Sequence, residues 1–461
     1  MKLRNPKHAF FIVLLIFACS EKKSAVPIVG LTTNSDAFLD SLSKDTFHFF
    51  WDLAEPTNGN QPDRWPTPSF SSIAATGFGL TSYLVGVERN YITREKAAER
   101  VSTTLKFFRS APQGDRAAGV TGYKGFFYHF LDPKTGLRFQ QVELSTIDTG
   151  LLMAGILSCH AYFNGDNETE KSIRRMADSL YRSVEWDWAM NGKKTMSMGW
   201  HPEHGFLDAQ WKGYNEAMIL YVMAIASPTH PIAAESWKAW TQSYQWANYQ
   251  GREHVNFGPL FGHQYSHMFI DFRKIKDDYM AKKGIDYFEN SRRATLTNRQ
   301  YCITNSGGFV GYSDQIWGLT ACDGPGNDNK TNPNISFSGY NARGAAQFYQ
   351  VDDGTIAPTA AGGSIPFAPE LCIAALKEIK KKVGDRIYGK YGFKDAFNLS
   401  IVYQNGTLGW FDQDYLGIDQ GPILIQLENH RNELVWKIMR KSPYIRDGLK
   451  KAGFTGGWLD E

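Results

Sequence analysis

Two carboxylates, Glu143 and Asp148, head the run QQVELSTIDTGLLMAG, Gln140 to Gly155, which turns apolar directly after them. A third, Glu216, opens the equally apolar run WKGYNEAMILYVMA beside Trp211 and Tyr214. Acids set among aromatics suit cleavage of a glycosidic bond. One carboxyl keeps its proton to assist the leaving oxygen, and a second stays ionised to activate water or attack the anomeric carbon. Burial near aromatic rings raises the first pKa, and polar contacts hold the second low; Glu216 suits the protonated role. Two of the acids also have a plain structural explanation. Ser145-Thr146-Ile147-Asp148 matches S-x-x-[DE], so Asp148 can reach back to a backbone N–H as a cap, and Glu216 can answer the helix dipole. Glu143 precedes the capping serine, and its place between an aromatic strand and an apolar helix points to a cavity. Near the C-terminus Asp395, Asp412, Asp414 and Asp419 compete for a role, and spacing does not choose among them.

Other chemistries find less support. His201, Glu203 and His204 form H-x-E-H, and His263 and His267 stand at i and i+4, but the second pair lacks the adjacent Glu of the H-E-x-x-H zinc pattern. There is no G-x-S-x-G elbow, no Walker A lysine loop and no dinucleotide fingerprint in a strand–turn–helix setting. No metal and no organic cofactor is expected. A net charge of +3 gives no electrostatic case for nucleic acid. Aromatic residues make up 14% of the chain, with 13 Trp and 22 Tyr; core packing accounts for most of them, and such rings also offer flat faces on which sugars stack.

The elements that must position these acids read as successive helices. Apolar spacing predicts helices at residues 36–54, 71–88, 94–110, 145–163, 168–184, 214–226, 232–244, 259–271, 284–304, 367–382 and 421–439, with a short piece after Asp314. Those opening at Ser72, Ser145, Tyr214, Phe367 and Gly421 are apolar or small on nearly every face, and their partners carry more Lys, Arg and Glu. A helix apolar all round is buried, and one with a charged stripe is half exposed. The alternation predicts two concentric rings, an α/α toroid, whose mouth is built by the loops before the inner helices. Those loops are aromatic, strand-like hairpins such as TGYKGFFYHFLDPKTGLRFQQVE and GTLGWFDQDYLGIDQGP.

At the N-terminus Lys2, Arg4 and Lys7 precede AFFIVLLIFAC, an export signal too short to span a bilayer comfortably. Ile16-Phe17-Ala18-Cys19 resembles a bacterial lipobox. The expectation is therefore a signal peptide over 1–18, lipidation at Cys19, a polar tether over 19–35 and one domain over 36–461, anchored to a membrane on the periplasmic side or at the outer-membrane surface. Of the remaining cysteines, Cys159 and Cys372 read as small buried hydrophobes, and an oxidising compartment permits but does not require a Cys302–Cys322 disulfide.

Six ordered motifs carry a resemblance: VELSTIDTGLLMAGIL, GYNEAMILYVMAIASPTHP, DQIWGLTACDGP, DDGTIAPTAAGGSIPFAPE, YGFKDAFN and GIDQGPILIQLENHR. Together they resemble the bacterial glucoamylase-like domain of glycoside hydrolase family 144, over the chain from Asp36 onward. The resemblance implies an (α/α)6 barrel acting on β-1,2-glucan. Endo-acting members release short β-1,2-glucooligosaccharides and exo-acting members release sophorose. It further implies that Glu143, Asp148 and Glu216 face the sugar cleft, and that Trp317, Asp323, Asp395 and Asp412 line it. Trp211, Tyr214 and Trp410 join them as substrate-binding candidates. Glu216 is the expected general acid, with Glu143 or Asp148 the other essential carboxylate. Endo action is the primary reading; the alternatives are exo release of sophorose, a non-catalytic surface glycan-binding lipoprotein, and a lyase on a similar toroid.

Overall fold

The computed structural model describes residues 36–326 and 335–461; the signal peptide, Cys19 and the tether lie outside them. Among the described residues, twelve helices build the ring. They are α1 (Ala37–Leu53), α2 (Ile73–Glu88), α3 (Arg94–Ser110), α4 (Thr146–Tyr162), α5 (Glu168–Arg182), α6 (Met218–Ala226), α7 (Glu235–Thr241), α8 (Tyr265–Phe269), α9 (Tyr287–Thr304), α10 (Pro358–Gly362), α11 (Pro369–Ile387) and α12 (Gly417–Asn432).

The even-numbered helices are inner and the odd-numbered outer. In α5 the buried residues Ile173, Met176, Ala177, Leu180 and Tyr181 recur at i, i+3, i+4, i+7 and i+8, one apolar stripe beneath a charged face. In α4 every residue from Thr146 to Cys159 is buried. Polar side chains start these helices: Ser72, Thr93, Ser145, Asn167 and Asp286 each accept a first-turn backbone N–H.

The inner helices form a ring. α2 packs on α4 and α12, α4 on α6, α6 on α8, and α10 on α12. Between α8 and α10 the tie is polar: Gln264 Nε2 donates to Ala360 O and to Ser364 Oγ, both at 2.9 Å. The seam joins the first helices to the last. Glu428 of α12, wholly buried, accepts the Ser43 hydroxyl of α1 at 2.9 Å and the guanidinium of Arg89, which ends α2.

At the α2–α4 crossing Gly77 faces Gly155, and a Cβ on Gly155 would stand 2.1 Å from the Gly77 carbonyl oxygen. Since the obstruction is backbone, Gly155→Ala is expected to destabilise the fold by about 2–3 kcal/mol, as overpacking does. A urea titration with unchanged m-value checks this.

Short hairpins roof one end. The largest sheet orders Gly122–Tyr123, Phe126–Tyr128, Leu144–Ser145, Gly199–His201 and Gly205–Phe206, with Phe127 opposite Ser145 and Leu144 opposite Trp200. A second joins Thr355–Ile356, Phe397–Val402 and Leu408–Phe411, and Arg64–Trp65 pairs with Tyr415–Leu416.

The fold is the α/α toroid the sequence predicts, with differences in detail. The helix expected over 214–226 begins at Met218, because Gly213 has φ 76° and the Asn215 side chain accepts the Ala217 N–H, holding a turn. Glu216 therefore lies in that turn. Residues 259–271 divide into a 3-10 turn, Leu260–His263, and α8. The stretch expected to run to Met439 starts at Gly417 and breaks at Glu433, φ 60°, before Leu434–Met439. After Asp314 there is a turn, not a helix, because the Ser313 hydroxyl accepts the Gln315 and Ile316 N–H groups. The inner member of that pair is α10, too short to show a period. Cys159, Cys302, Cys322 and Cys372 are all buried and free.

Candidate active site

The hairpins and the starts of the inner helices enclose a cleft of about 460 Å³. Its lining carboxyls are Asp63, Asp148 and Glu216, set among Phe70, Phe130, Phe261 and Tyr265. Arg64 and His129 also line it.

Glu216 is fixed from behind, where the Ser266 hydroxyl donates to its carbonyl oxygen at 2.6 Å. Burial raises its carboxyl to about 7, and the nearby charge of Asp148 adds to the rise against a backbone hydrogen bond that lowers it. A carboxyl so placed holds its proton near neutrality.

Asp148 behaves otherwise than a simple cap. Ser145 is the capping residue: its oxygen accepts the Asp148 N–H at 3.2 Å while its hydroxyl donates to the Asp148 carboxylate. Instead of reaching back to a backbone N–H, that carboxylate turns into the cleft, 3.5 Å from His129 Nε2. His129 Nδ1 lies 2.7 Å from Glu143 Oε1. Glu143 is part-exposed behind His129 and absent from the cleft lining. Burial pushes its carboxyl up, but the hydrogen bond and charge of His129 together hold it below the ordinary range.

A second acidic group stands on loops before α10 and α12. Arg64 Nη1 donates to Asp323 Oδ2 at 2.6 Å, and its Nε to Asp63 Oδ2 at 3.2 Å. Asp395 Oδ2 accepts the Asp323 N–H at 2.7 Å, and Asp412 Oδ1 accepts the Asp414 N–H at 2.9 Å. Oxygens of Asp323, Asp395 and Asp412 lie within 4.8 Å of one another, a spacing that one divalent cation could bridge. Protons are the other answer to that crowding. Burial raises Asp395 and Asp419, with the charges of neighbouring aspartates adding to the rise, and burial likewise lifts Asp412 to about 6.

The aromatic candidates are placed differently from expectation. Trp211 is buried and donates its indole N–H to Thr146 Oγ1 at 2.9 Å. Tyr214 is buried against His263 and Tyr287, its hydroxyl 3.2 Å from Ser291 Oγ. Trp317 is wholly buried in the core under α10, and Trp410 packs on Cys322, Ala357 and Ala396. None of the four lines the cleft. They stand next to the acids along the chain but hold the loops from behind.

The histidine patterns resolve too. Glu203 is taken by Arg138 at 2.7 Å, and His263 and His267 are buried about Ser291. The residues missed by sequence reasoning are Asp63, Arg64 and His129: the first two sit in a Pro-rich connection, and the third is hidden in the strand run FFYHF.

A toroid of six helix pairs with carboxyls gathered at one mouth defines the class of protein by its fold, an α/α toroid with an acidic cleft. Residues 208–443 match a family model described as "Putative glucoamylase". A Bacteroides uniformis protein of the same description superposes with TM-score 0.80 at 35% identity, over 92% of this chain and 98% of that one. The endo-β-1,2-glucanase of Chitinophaga pinensis, solved with sophorotriose and glucose, superposes with TM-score 0.79 at 32% identity, over 92% and 99%. An exo β-1,2-glucooligosaccharide sophorohydrolase of Parabacteroides distasonis is 29% identical over 96% of this chain, which spans 62% of that protein's length. The chain belongs to this glucoamylase-like family, glycoside hydrolase family 144.

Proposed function

We propose that this protein hydrolyses β-1,2-glucan to short β-1,2-glucooligosaccharides by endo action, with Glu216 as general acid and Asp148 as the second essential carboxylate. One observation carries the assignment: a proton-holding Glu216 and a carboxylate partnered by His129 share one cleft, the split of environments that acid–base hydrolysis needs. Glu216 gives its proton to the glycosidic oxygen as that bond breaks. Asp148 takes a proton from the water that attacks the anomeric carbon, and inversion follows.

Endo action is supported by the nearly end-to-end match to the C. pinensis endoglucanase, whereas the sophorohydrolase carries substantial further chain. The same reading has the protein exported and tethered to a membrane through lipidated Cys19.

Product analysis on linear β-1,2-glucan tests it. An early ladder of oligosaccharides, lost in Asp148→Asn, is the expected result. Sophorose alone would mean exo action, and binding without product would mean a capture protein. If Asp148→Asn stays active while Asp412→Asn does not, the water-activating group belongs to the second acidic group.

A further inference from the structure

We propose that His129 is a positioning residue whose imidazolium, clamped between Glu143 and Asp148, orients the Asp148 carboxylate and balances its charge for the reaction. The inference rests on the reading of Glu216 and Asp148 given above, and states what the His129 partner does for that carboxylate.

His129 is held on every side. Its N–H donates to Glu143 O at 3.0 Å, its carbonyl accepts the Ile73 N–H at 3.4 Å, and its ring stacks on Phe130 with centroids 3.8 Å apart. The backbone is thus fixed on both sides, and the ring, part-exposed to the cleft, rests on Phe130. Its two nitrogens face two carboxylates, at 2.7 Å for Glu143 and 3.5 Å for Asp148. The contact to Glu143 is a hydrogen bond, and the longer one to Asp148 is a charge contact that the doubly protonated ring turns into an ion pair.

The surrounding charges agree. Glu143 faces the ring from its own hairpin, Asp148 from the start of α4 and Asp63 from the segment before α2. The guanidinium of Arg64 is engaged by Asp63 and Asp323, and His201 lies beyond Glu143. Burial opposes the imidazolium, but Asp148, then Glu143, then Asp63 outweigh it and carry the ring to about 9.

The consequence concerns where one proton resides. Glu216 and Asp148 are near enough for the charge of one to act on the other. A cation beside Asp148 balances the charge that this carboxylate presents to Glu216. His129, with the Ser145 hydroxyl on the same carboxylate, favours the proton on Glu216.

His129→Gln tests this on linear β-1,2-glucan across pH. The expected result is a kcat lower by about 100-fold with little change in KM, as for a misplaced reacting group. The acid limb of the profile should move up by about 1–3 pH units, the reach of a neighbouring charge. An active variant with an unmoved acid limb overturns the inference. If that variant does not fold, His129→Asn, which also removes the imidazolium, takes its place, with the same upward move of the limb expected and no move overturning the inference.

Imidazole NMR of the substrate-free protein supplies a readout independent of turnover. His129 should titrate near 9 and fall in Glu143→Gln; titration near the free-histidine value overturns the clamp. A wild-type protein that shows the high titration but no product would sink the hydrolase reading and leave the clamp standing.

Discussion

Glu216→Gln is expected to lower kcat on linear β-1,2-glucan by about 1,000-fold, within the range that general acid catalysis contributes. Glutamine keeps the size and the polar contacts but has no acidic proton. In the wild type, activity should fall as pH rises through about 7, where the raised Glu216 carboxyl loses its proton. The variant should lose that alkaline limb. An aryl β-glucoside with a good leaving group needs less proton assistance, so any residual turnover of such a compound should suffer less than turnover of the glucan. If Glu216→Gln keeps wild-type kcat with its alkaline limb intact, Glu216 is only a buried acid at a turn.

Arg343→Met is expected to cost about 3–5 kcal/mol of stability, the largest effect anticipated away from the cleft. Arg343 is 1% exposed and donates to both Asp353 oxygens at 2.8 Å. It also donates to the carbonyls of Cys322, Asp323, Ser338 and Gly339. Removing the guanidinium leaves Asp353 buried without its cation and takes a hydrogen bond from each of the four carbonyls, of which Ser338 O keeps the Gly326 N–H. The pH dependence follows from Asp353. Burial raises its carboxyl, but hydrogen bonds and charge from Arg343 bring it below the usual aspartate value. The stability this contributes is present above the unfolded carboxyl's pKa and is lost as pH falls through the lower folded value. Denaturant midpoints at neutral and acidic pH should show it in the wild type and not in Arg343→Met. An Arg343→Met/Asp353→Leu pair should recover part of the loss, since no lone charge remains buried.

How much of this was legible beforehand depended on whether a signal was local. Periodicity marked α3 to the residue and α5 within two, because each turns a distinct apolar set inward, and α4 was found within two from its capping serine and unbroken apolar run. The five buried residues of α10 offer too little length for a period, and the helix opening at Phe367, read as inner, is the outer α11, which exposes Lys377, Lys381 and Lys382. Glu216 and Asp148 were identifiable from the apolar helices behind them. The orientation of Asp148 was not, since an S-x-x-D sequence reads as a cap whichever way its carboxylate turns. His129 escaped notice because its meaning lies in Glu143 and Asp148, across a hairpin. Trp211 and Trp317 misled for the converse reason: nearness along the chain to an acid is not nearness to the cleft.

The seam through Glu428 bears on how the protein must come into being. Its hydrogen bond to Ser43 spans 385 residues, and the Arg64–Asp323 pair spans 259. A chain emerging from the ribosome N-terminus first cannot close such a ring until α12 has appeared. Until then the inner helices, apolar on nearly every face, have no complete set of neighbours. Contacts this distant favour slow folding and a long exposure to aggregation. Chaperone escort of the nascent chain is the expected condition for good yield, and fragments ending before Gly417 should have neither a seam nor a working cleft.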